Sequence, residues 1–254
     1  MQLAFGLPML RHISAQRDAA VVKGKGPFSI CMAPTRELAC QIAAVLVEAG
    51  EKCSIRCLCV YGGVPKHPQA ESLKSGVEIV VGTPGRLEDL MQDGACKLNQ
   101  VTYLVLDEAD RMLDLGFEPH IRAICSTIRT DRHTLMFSAT WPQAVQKLAS
   151  AFLSSNAVKV TIGSQDLAAS HTIQQVVEVI EPHARNERLL QLLQKHHSSR
   201  KNRIIIFVLY KKEAPQVEQL LGRKGWKCAS IHGDISQVSR MNSCDQDLCD
   251  RDVT

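Results

Sequence analysis

The residues with the clearest chemical potential stand in "VTYLVLDEADRML", where Asp107, Glu108 and Asp110 follow an apolar run. Carboxylates crowded at the end of a buried segment repel one another unless a cation sits among them. Mg²⁺ prefers one or two carboxylates completed by phosphates and water, so Asp107 could face a divalent ion carried by a nucleotide. Glu108 could then orient or activate the water that attacks a terminal phosphoryl group. The plainer alternative is a surface turn of acids capping a short helix, since acids at helix starts are common. Two further clusters suit phosphate. Thr35 and Arg36 in "PTREL", and Thr83, Gly85 and Arg86 in "GTPGR", open helical patterns. The free N–H groups of a helix start favour an anion, although both threonines could equally serve only as caps.

These clusters need elements that bring them together. Short β-branched runs alternate with helical patterns, which predicts an α/β fold with a parallel sheet covered on both faces. The strands are expected at 29–33, 57–61, 78–81, 103–106 and 134–137. One helix should run from Arg36 with Leu38, Ile42, Val45 and Ala49 on its buried face and Gly50 as its stop. Another should open with Thr83 as cap and Pro84 in its first turn, burying Leu87, Leu90 and Met91 and ending at Gly94. A third, from about Pro142, should bury Val145, Leu148, Ala149 and Phe152. In an open parallel sheet, ligands bind beyond the carboxyl ends of the strands. "PTREL", "GG", "GTPGR", "DEAD" and "SAT" each follow one of these strands, so all of them should meet on one edge.

The second half repeats the pattern less completely. Residues 161–175 are polar and weakly periodic and read as a linker. Beyond them lie candidate strands "VVEVI" (176–180), "RIIIFVLY" (203–210) and "KCASIHGD". Helices are expected around Leu189, Leu190 and Leu193 and over Val217, Leu220 and Leu221. Pro215 must sit near the start of the latter, because deeper inside it would remove a hydrogen bond. The tail "NSCDQDLCDRDVT" has no core pattern, and disorder is expected there.

Composition removes several classes. Of the 254 residues, 45% are hydrophobic and 22% charged, the proportions of an ordinary globular chain. No apolar run reaches the ~18 residues needed to span a bilayer, and "MQLAFGLPML" reads as an internal helix, not a signal peptide. The ten cysteines include no C-x-x-C pair. They read as small hydrophobes in a reducing intracellular compartment, not as a zinc or disulfide framework. A net charge of +4 is a mild preference for anions. With only 4% aromatic residues, a base-stacking platform is not expected, so any grip on nucleic acid should be through the backbone and indifferent to sequence.

Taken jointly, "PTRELA", "GG", "TPGR", "DEAD", "RMLDLGFEP" and "SAT", in this order and spacing, resemble the DEAD-box family of ATP-dependent RNA helicases. "FVLYKKEA" and "IHGDISQ", with Gln237 and Arg240, resemble that family's later motifs, so the likeness spans roughly residues 3 to 240. It implies two RecA-like domains that close on ATP and single-stranded RNA. The first would occupy 1–162, then a linker 163–175, then a partial second domain 176–254. The likeness further implies that Asp107 holds Mg²⁺ through water and that Glu108 positions the hydrolytic water. Asp110 would link to Ser138, Ala139 and Thr140, the segment coupling hydrolysis to strand separation. It places Thr35, Arg36, Gly63, Thr83, Gly85 and Arg86 against the RNA backbone in the first domain, and Gly233, Gln237 and Arg240 near RNA in the second.

Two departures qualify this. No phosphate-binding loop G-x-x-x-x-G-K-[ST] occurs in the sequence; "LAFGLPML" resembles the helix that follows such a loop, and "GKG" at 24–26 does not replace it. The second-domain arginines that reach the γ-phosphate are also missing, and a residue of that kind is worth ~10³–10⁵ in turnover. The chain alone is therefore expected to bind ATP poorly and not to unwind RNA. The competing functions are a helicase-derived module that holds RNA or a protein without catalysis, and an unrelated metal-dependent phosphohydrolase. "FSATWP" and "LAFGLPML" look most like nuclear and nucleolar members. "RHISAQ", "VVKGKG" and "KHHSSRKNR" read as solvated loops, and no membrane association is expected.

Overall fold

Strands buried on both faces need apolar side chains at nearly every position, and the central strands of this chain supply them, with Ser29 the polar exception. The computed structural model describes residues 2–19, 26–162 and 172–235, and the chain divides into two compact units, Met1–Val160 and Thr161–Thr254. The first unit holds five strands: β1 (Ser29–Met32), β2 (Cys57–Val60), β3 (Ile79–Gly82), β4 (Tyr103–Leu106) and β5 (His133–Met136). All pair in parallel, in the order β2-β3-β1-β4-β5. The three central strands are buried at every position, whereas the edge strands β2 and β5 are only partly covered.

Alternation along each strand divides the core between the two faces. On one face Ile30, Met32, Val80, Leu104 and Leu106 pack with Leu87 and Leu90 of α4 (Pro84–Gln92) and Met112 of α5 (Ala109–Asp114). Ile121 and Ile124 of α6 (Glu118–Thr127) and Leu148 and Phe152 of α7 (Gln143–Phe152) complete that layer. On the other face Cys31, Ile79, Val81, Tyr103 and Val105 meet Phe5, Met9 and Ile13 of α1 (Gln2–Ala19) and Ile42 and Leu46 of α2 (Arg36–Glu51). The remaining helix, α3 (Lys66–Lys74), sends Leu73 into the first layer. A pair of bonds ties α1 to the root of β4: His12 Nε2 lies 2.9 Å from Thr102 Oγ1, which donates to Gln16 Oε1 at 2.9 Å.

The expected face of α7 is that observed, and α4 buries Leu87 and Leu90 as expected with Met91 only half-buried. That of α2 is displaced. Its buried stripe is Ala39, Ile42, Ala43, Leu46 and Gly50, while Leu38, Val45 and Ala49 are half-buried. The small alanines let the helix lie close to the sheet, and a count of large apolar residues overlooks them. Gly50 does not stop α2; it lies inside it, where a side chain would strike the carbonyl of Ile55. The Gly50 carbonyl instead accepts from Cys53 and Ile55, turning the chain toward β2.

In the second unit the helices form as expected: α8 (Arg185–His196) follows a single 3-10 turn, and α9 (Glu213–Arg223) carries Pro215 in its first turn. Leu193 and Leu221 are buried. The three candidate strands do not form: among the described residues of this unit there is no strand, and Val177, Val179, Ile205 and Phe207 are exposed. Apolar alternation suffices for a strand only where a neighbour supplies the hydrogen bonds. Most of the expected linker and the whole tail from 242 onward lie outside the described residues.

Candidate functional site

The parallel register decides where the chemical residues go. Met32 pairs with Gly82 and with Leu106, Val60 pairs with Gly82, and Leu106 pairs with Met136. The strands therefore end level, and Thr35, Gly63, Thr83, Asp107 and Ser138 leave the sheet side by side on its carboxyl edge. The convergence expected from the sequence is present in the first unit.

At the centre of this edge Asp107 is fully buried. Its backbone N–H donates to the Met32 carbonyl at 3.0 Å, extending the β1–β4 ladder by one bond. Oδ1 accepts from the Glu108 N–H at 3.1 Å, but Oδ2 is buried without a hydrogen-bond partner. Burial raises the Asp107 carboxyl above its usual range, and the Glu108 charge adds to this against the opposing Glu108 N–H bond. A buried carboxylate oxygen left bare is costly, and a cation or its bound water is the partner that removes the cost. The residues thus fit a magnesium ion that brings phosphates with it. Among the described residues no group of three or more His, Cys, Asp or Glu could hold a metal by itself.

Glu108 begins α5 in the left-handed conformation, φ 51° and ψ 54°. A non-glycine residue in this region is strained by about 1–2 kcal/mol. The strain turns the chain sharply from β4 into α5 and sets Glu108 half-buried at the rim. Glutamate has no special preference for this conformation, so nothing in the residue type could have announced it.

Asp110, one turn into the site, is locked to the end of β5. Oδ2 accepts from the Thr140 N–H at 2.9 Å and from Thr140 Oγ1 at 2.7 Å, and the Asp110 N–H donates to Ser138 Oγ at 3.3 Å. Ser138 Oγ in turn donates to the Thr140 carbonyl at 2.8 Å. Burial pushes the Asp110 carboxyl up, but the bonds from Thr140, Ser138 and the Arg111 N–H outweigh it, and the net shift is downward. Ala139 makes the exposed bend between the two hydroxyls.

The other side of the edge is built around two arginines. Thr35 caps α2, its Oγ1 accepting from the Leu38 N–H at 3.3 Å. Gly63 has φ +79°, and a side chain there would fall on the Arg36 guanidinium. The glycine thus makes room first for Arg36. Arg86 donates from Nη2 to the Val64 carbonyl at 3.0 Å and leaves only 10% of its side chain exposed. It braces the loop after β2 against α4, while its Nε and Nη1 are buried without a hydrogen-bond partner among the described residues, so a phosphate could bond them and leave that brace in place. Thr83 is buried at the start of α4 but makes no side-chain cap bond, contrary to expectation. Gly85 has open space where a side chain would project.

A brace that sequence reasoning missed is Gln69. Its Oε1 accepts from the Tyr61 N–H and its Nε2 donates to the Tyr61 carbonyl, both at 3.2 Å. The pair fixes the strand end just before Gly62 and Gly63, and no local pattern distinguishes this glutamine from a surface one. In the second unit Gly233 lies in a turn beside the Lys211–Asp234 ion pair. Gln237 and Arg240 lie outside the described residues.

An acidic strand end carrying one bare carboxylate oxygen, locked to a Ser-Ala-Thr turn and flanked by helix starts, is matched by sequence comparison. The pattern of the DEAD/DEAH box helicases covers residues 3–148, and that of the helicase conserved C-terminal domain covers 184–246. The chain belongs to the DEAD/DEAH box helicase family. It is 52% identical over 238 residues to DEAD-box ATP-dependent RNA helicase 5 of Oryza sativa subsp. japonica, covering 94% of this chain and 46% of that protein. To the protein of the same name in Arabidopsis thaliana it is 49% identical over 243 residues, 95% and 45% of the two chains. To ATP-dependent RNA helicase dbp2 of Emericella nidulans it is 49% identical over 238 residues, 94% and 42%. This helicase chain therefore spans less than half the length of these relatives.

Proposed function

We propose that this chain is the part of an ATP-dependent RNA helicase that sets nucleotide hydrolysis beside an RNA strand on one sheet edge. The carrying observation is the bare Oδ2 of buried Asp107, level with the helix starts at Thr35 and Thr83. Asp107 would hold Mg²⁺ through water, and the ion would neutralise the phosphate charge of bound ATP. Glu108, held at the rim by its left-handed backbone, positions the attacking water. Asp110, through Thr140 and Ser138, passes the state of the nucleotide site to the end of β5.

RNA lies single-stranded along the edge formed by Thr35, Arg36, Gly63, Thr83, Gly85 and Arg86, touched through its phosphates and without regard to sequence. Within the second unit, Gly233, Gln237 and Arg240 are the residues we assign to RNA contact. Because no phosphate-binding loop occurs in the 254 residues, the chain by itself is expected to turn ATP over poorly. RNA-stimulated ATP hydrolysis by the purified 254-residue chain, abolished by Glu108→Gln, would overturn that expectation. Arg36→Ala and Arg86→Ala should weaken RNA binding uniformly across sequences and reduce its salt dependence. Binding that ignores salt or tracks base identity would count against the phosphate track.

A second reading is a helicase-derived module that holds RNA or a protein without catalysis. If RNA binds normally and Mg²⁺·ATP neither binds nor alters RNA affinity, this reading replaces the first. The location we propose is the nucleus or nucleolus, supported only by the wording of "FSATWP" and "LAFGLPML". Fluorescence of the tagged protein spread through the cytoplasm would contradict it.

A further inference from the structure

The basic stretch "KHHSSRKNR" reads as a solvated loop from sequence, but its structure is organised around a distant tryptophan. Lys195 to Arg203 contains four Lys or Arg residues and no acid, and Arg223 to Ala229 adds Arg223, Lys224 and Lys227, again without an acid. The two stretches follow the ends of α8 and α9. At the end of α9, Gly225 takes φ +76° and the Trp226 N–H bonds to the Leu221 carbonyl at 3.0 Å, which fixes Trp226 against the helix end. At the end of α8, His197 stacks on the Trp226 ring with centroids 5.6 Å apart, and the Arg200 guanidinium lies over the same ring at 5.1 Å. Asn202 braces the loop by bonding both His197 Nδ1 and the His196 carbonyl. Arg200 itself sits at φ +55°, a strained conformation retained by these contacts.

Cations near helix C-termini complement the helix dipole, which accounts for Lys195 and Arg223 in the last turns. It does not account for Arg200, Lys201 and Lys227. These lie past the helix ends and are exposed, and among the described residues their side chains have no hydrogen bond or ion pair. Neither stretch carries an acid of its own, although Glu178 faces Lys195 and Glu218 faces Cys228. Like charges in excess repel, and a strained backbone that gathers them calls for a polyanion. A guanidinium resting on an indole keeps its N–H edge free for bidentate bonds to a phosphate. Because Trp226 is already covered by His197 and Arg200, the patch offers phosphate contacts and not a platform for bases.

We propose that Arg200, Lys201, Lys224 and Lys227, ordered around Trp226, form a second RNA-backbone contact surface on the second unit, separate from the motif residues there. The inference rests on the reading that this chain binds RNA, and its test separates the two. Affinity for a labelled single-stranded oligouridylate is measured as a function of salt for the 254-residue chain. The same is done for the fourfold variant Arg200→Ala, Lys201→Ala, Lys224→Ala, Lys227→Ala, and for Arg36→Ala.

The fourfold variant should lose about tenfold or more in affinity at low salt. Its slope of log affinity against log salt should flatten by about 3, since each single-strand phosphate contact contributes about 0.7. If only Arg36→Ala weakens binding, the inference fails and the first-unit site stands. If only the fourfold variant weakens it, the inference stands and the first-unit site fails. If neither does, both fail. Unchanged RNA binding with lost binding of polyglutamate would overturn the proposal in favour of an acidic protein partner. Should the fourfold variant misfold by circular dichroism, the double variant Lys201→Glu, Lys227→Glu replaces two exposed, unpartnered side chains and decides between the same outcomes.

Discussion

In the first unit Ile30, Val80 and Leu104 are 0% exposed, whereas in the second Val177 and Phe207 are 89% and 90% exposed, although both sets come from runs of the same β-branched and aromatic character. The difference lies in partners, not in propensity. β1 has a strand on each side and helices on both faces, so Ile30, Cys31 and Met32 are all packed, and only the Ser29 hydroxyl is buried without a hydrogen-bond partner. Residues 176–180 and 204–208 have no ladder among the described residues, and an extended segment without a ladder has nothing to hold its apolar face inward. A strand pattern therefore states what a segment can do once a sheet exists. Helices need no such neighbour for their hydrogen bonds, so they form in both units, α8 and α9 in the second.

The contrast can be tested where it is steepest. Leu104→Ala, in the centre of β4, should destabilise the first unit by about 2–5 kcal/mol in denaturant unfolding. Next in size, Asp110→Ala removes both Thr140 bonds and should cost about 1–2 kcal/mol at neutral pH. The folded Asp110 carboxyl lies below its usual range, so this stabilisation is present above about pH 4. It should fade as pH falls through the folded value. A variant equally destabilising at acid and neutral pH would show that the lock is not carried by the charge.

Asp107→Asn should have the opposite sign and a smaller size. Its folded carboxyl is raised, so the buried charge costs stability as pH rises through and above the ordinary carboxylate range. The asparagine variant should melt at or above the parent temperature at pH 7, with the difference shrinking toward about pH 4. A variant that melts lower at pH 7 would mean that Oδ2 has a partner. The smallest effect belongs to the second unit. Phe207→Ala and Val179→Ser should each change stability by no more than about 0.5 kcal/mol. A loss from either matching that of Leu104→Ala would erase the distinction between the two units.

Much of the site was legible because its residue types carry their own constraints. Acids after a β-branched run, a proline behind Thr83 and a glycine before an arginine each suggest one local geometry, and five strand ends in series imply one edge. The α2 face differs from the expected one because Ala39 and Ala43 are buried, while the larger Leu38 and Val45 stay half-buried at its border. Gln69 and the inward turn of Arg86 were invisible because their partners, the Tyr61 amide and the Val64 carbonyl, are backbone groups with no signature.

From the order of residues alone came the alternation of strands and helices, the edge on which the polar clusters meet, and the family likeness. These depend on periodicity and on side-chain types, which are local quantities. Only the folded chain decided that Asp107 keeps one oxygen bare, that Glu108 turns left-handed, that Asp110 is held by Thr140, and that the apolar runs among the described residues 172–235 stay outside a sheet. Each of those depends on which distant backbone group lies within hydrogen-bonding reach, and that is settled by packing across the whole unit.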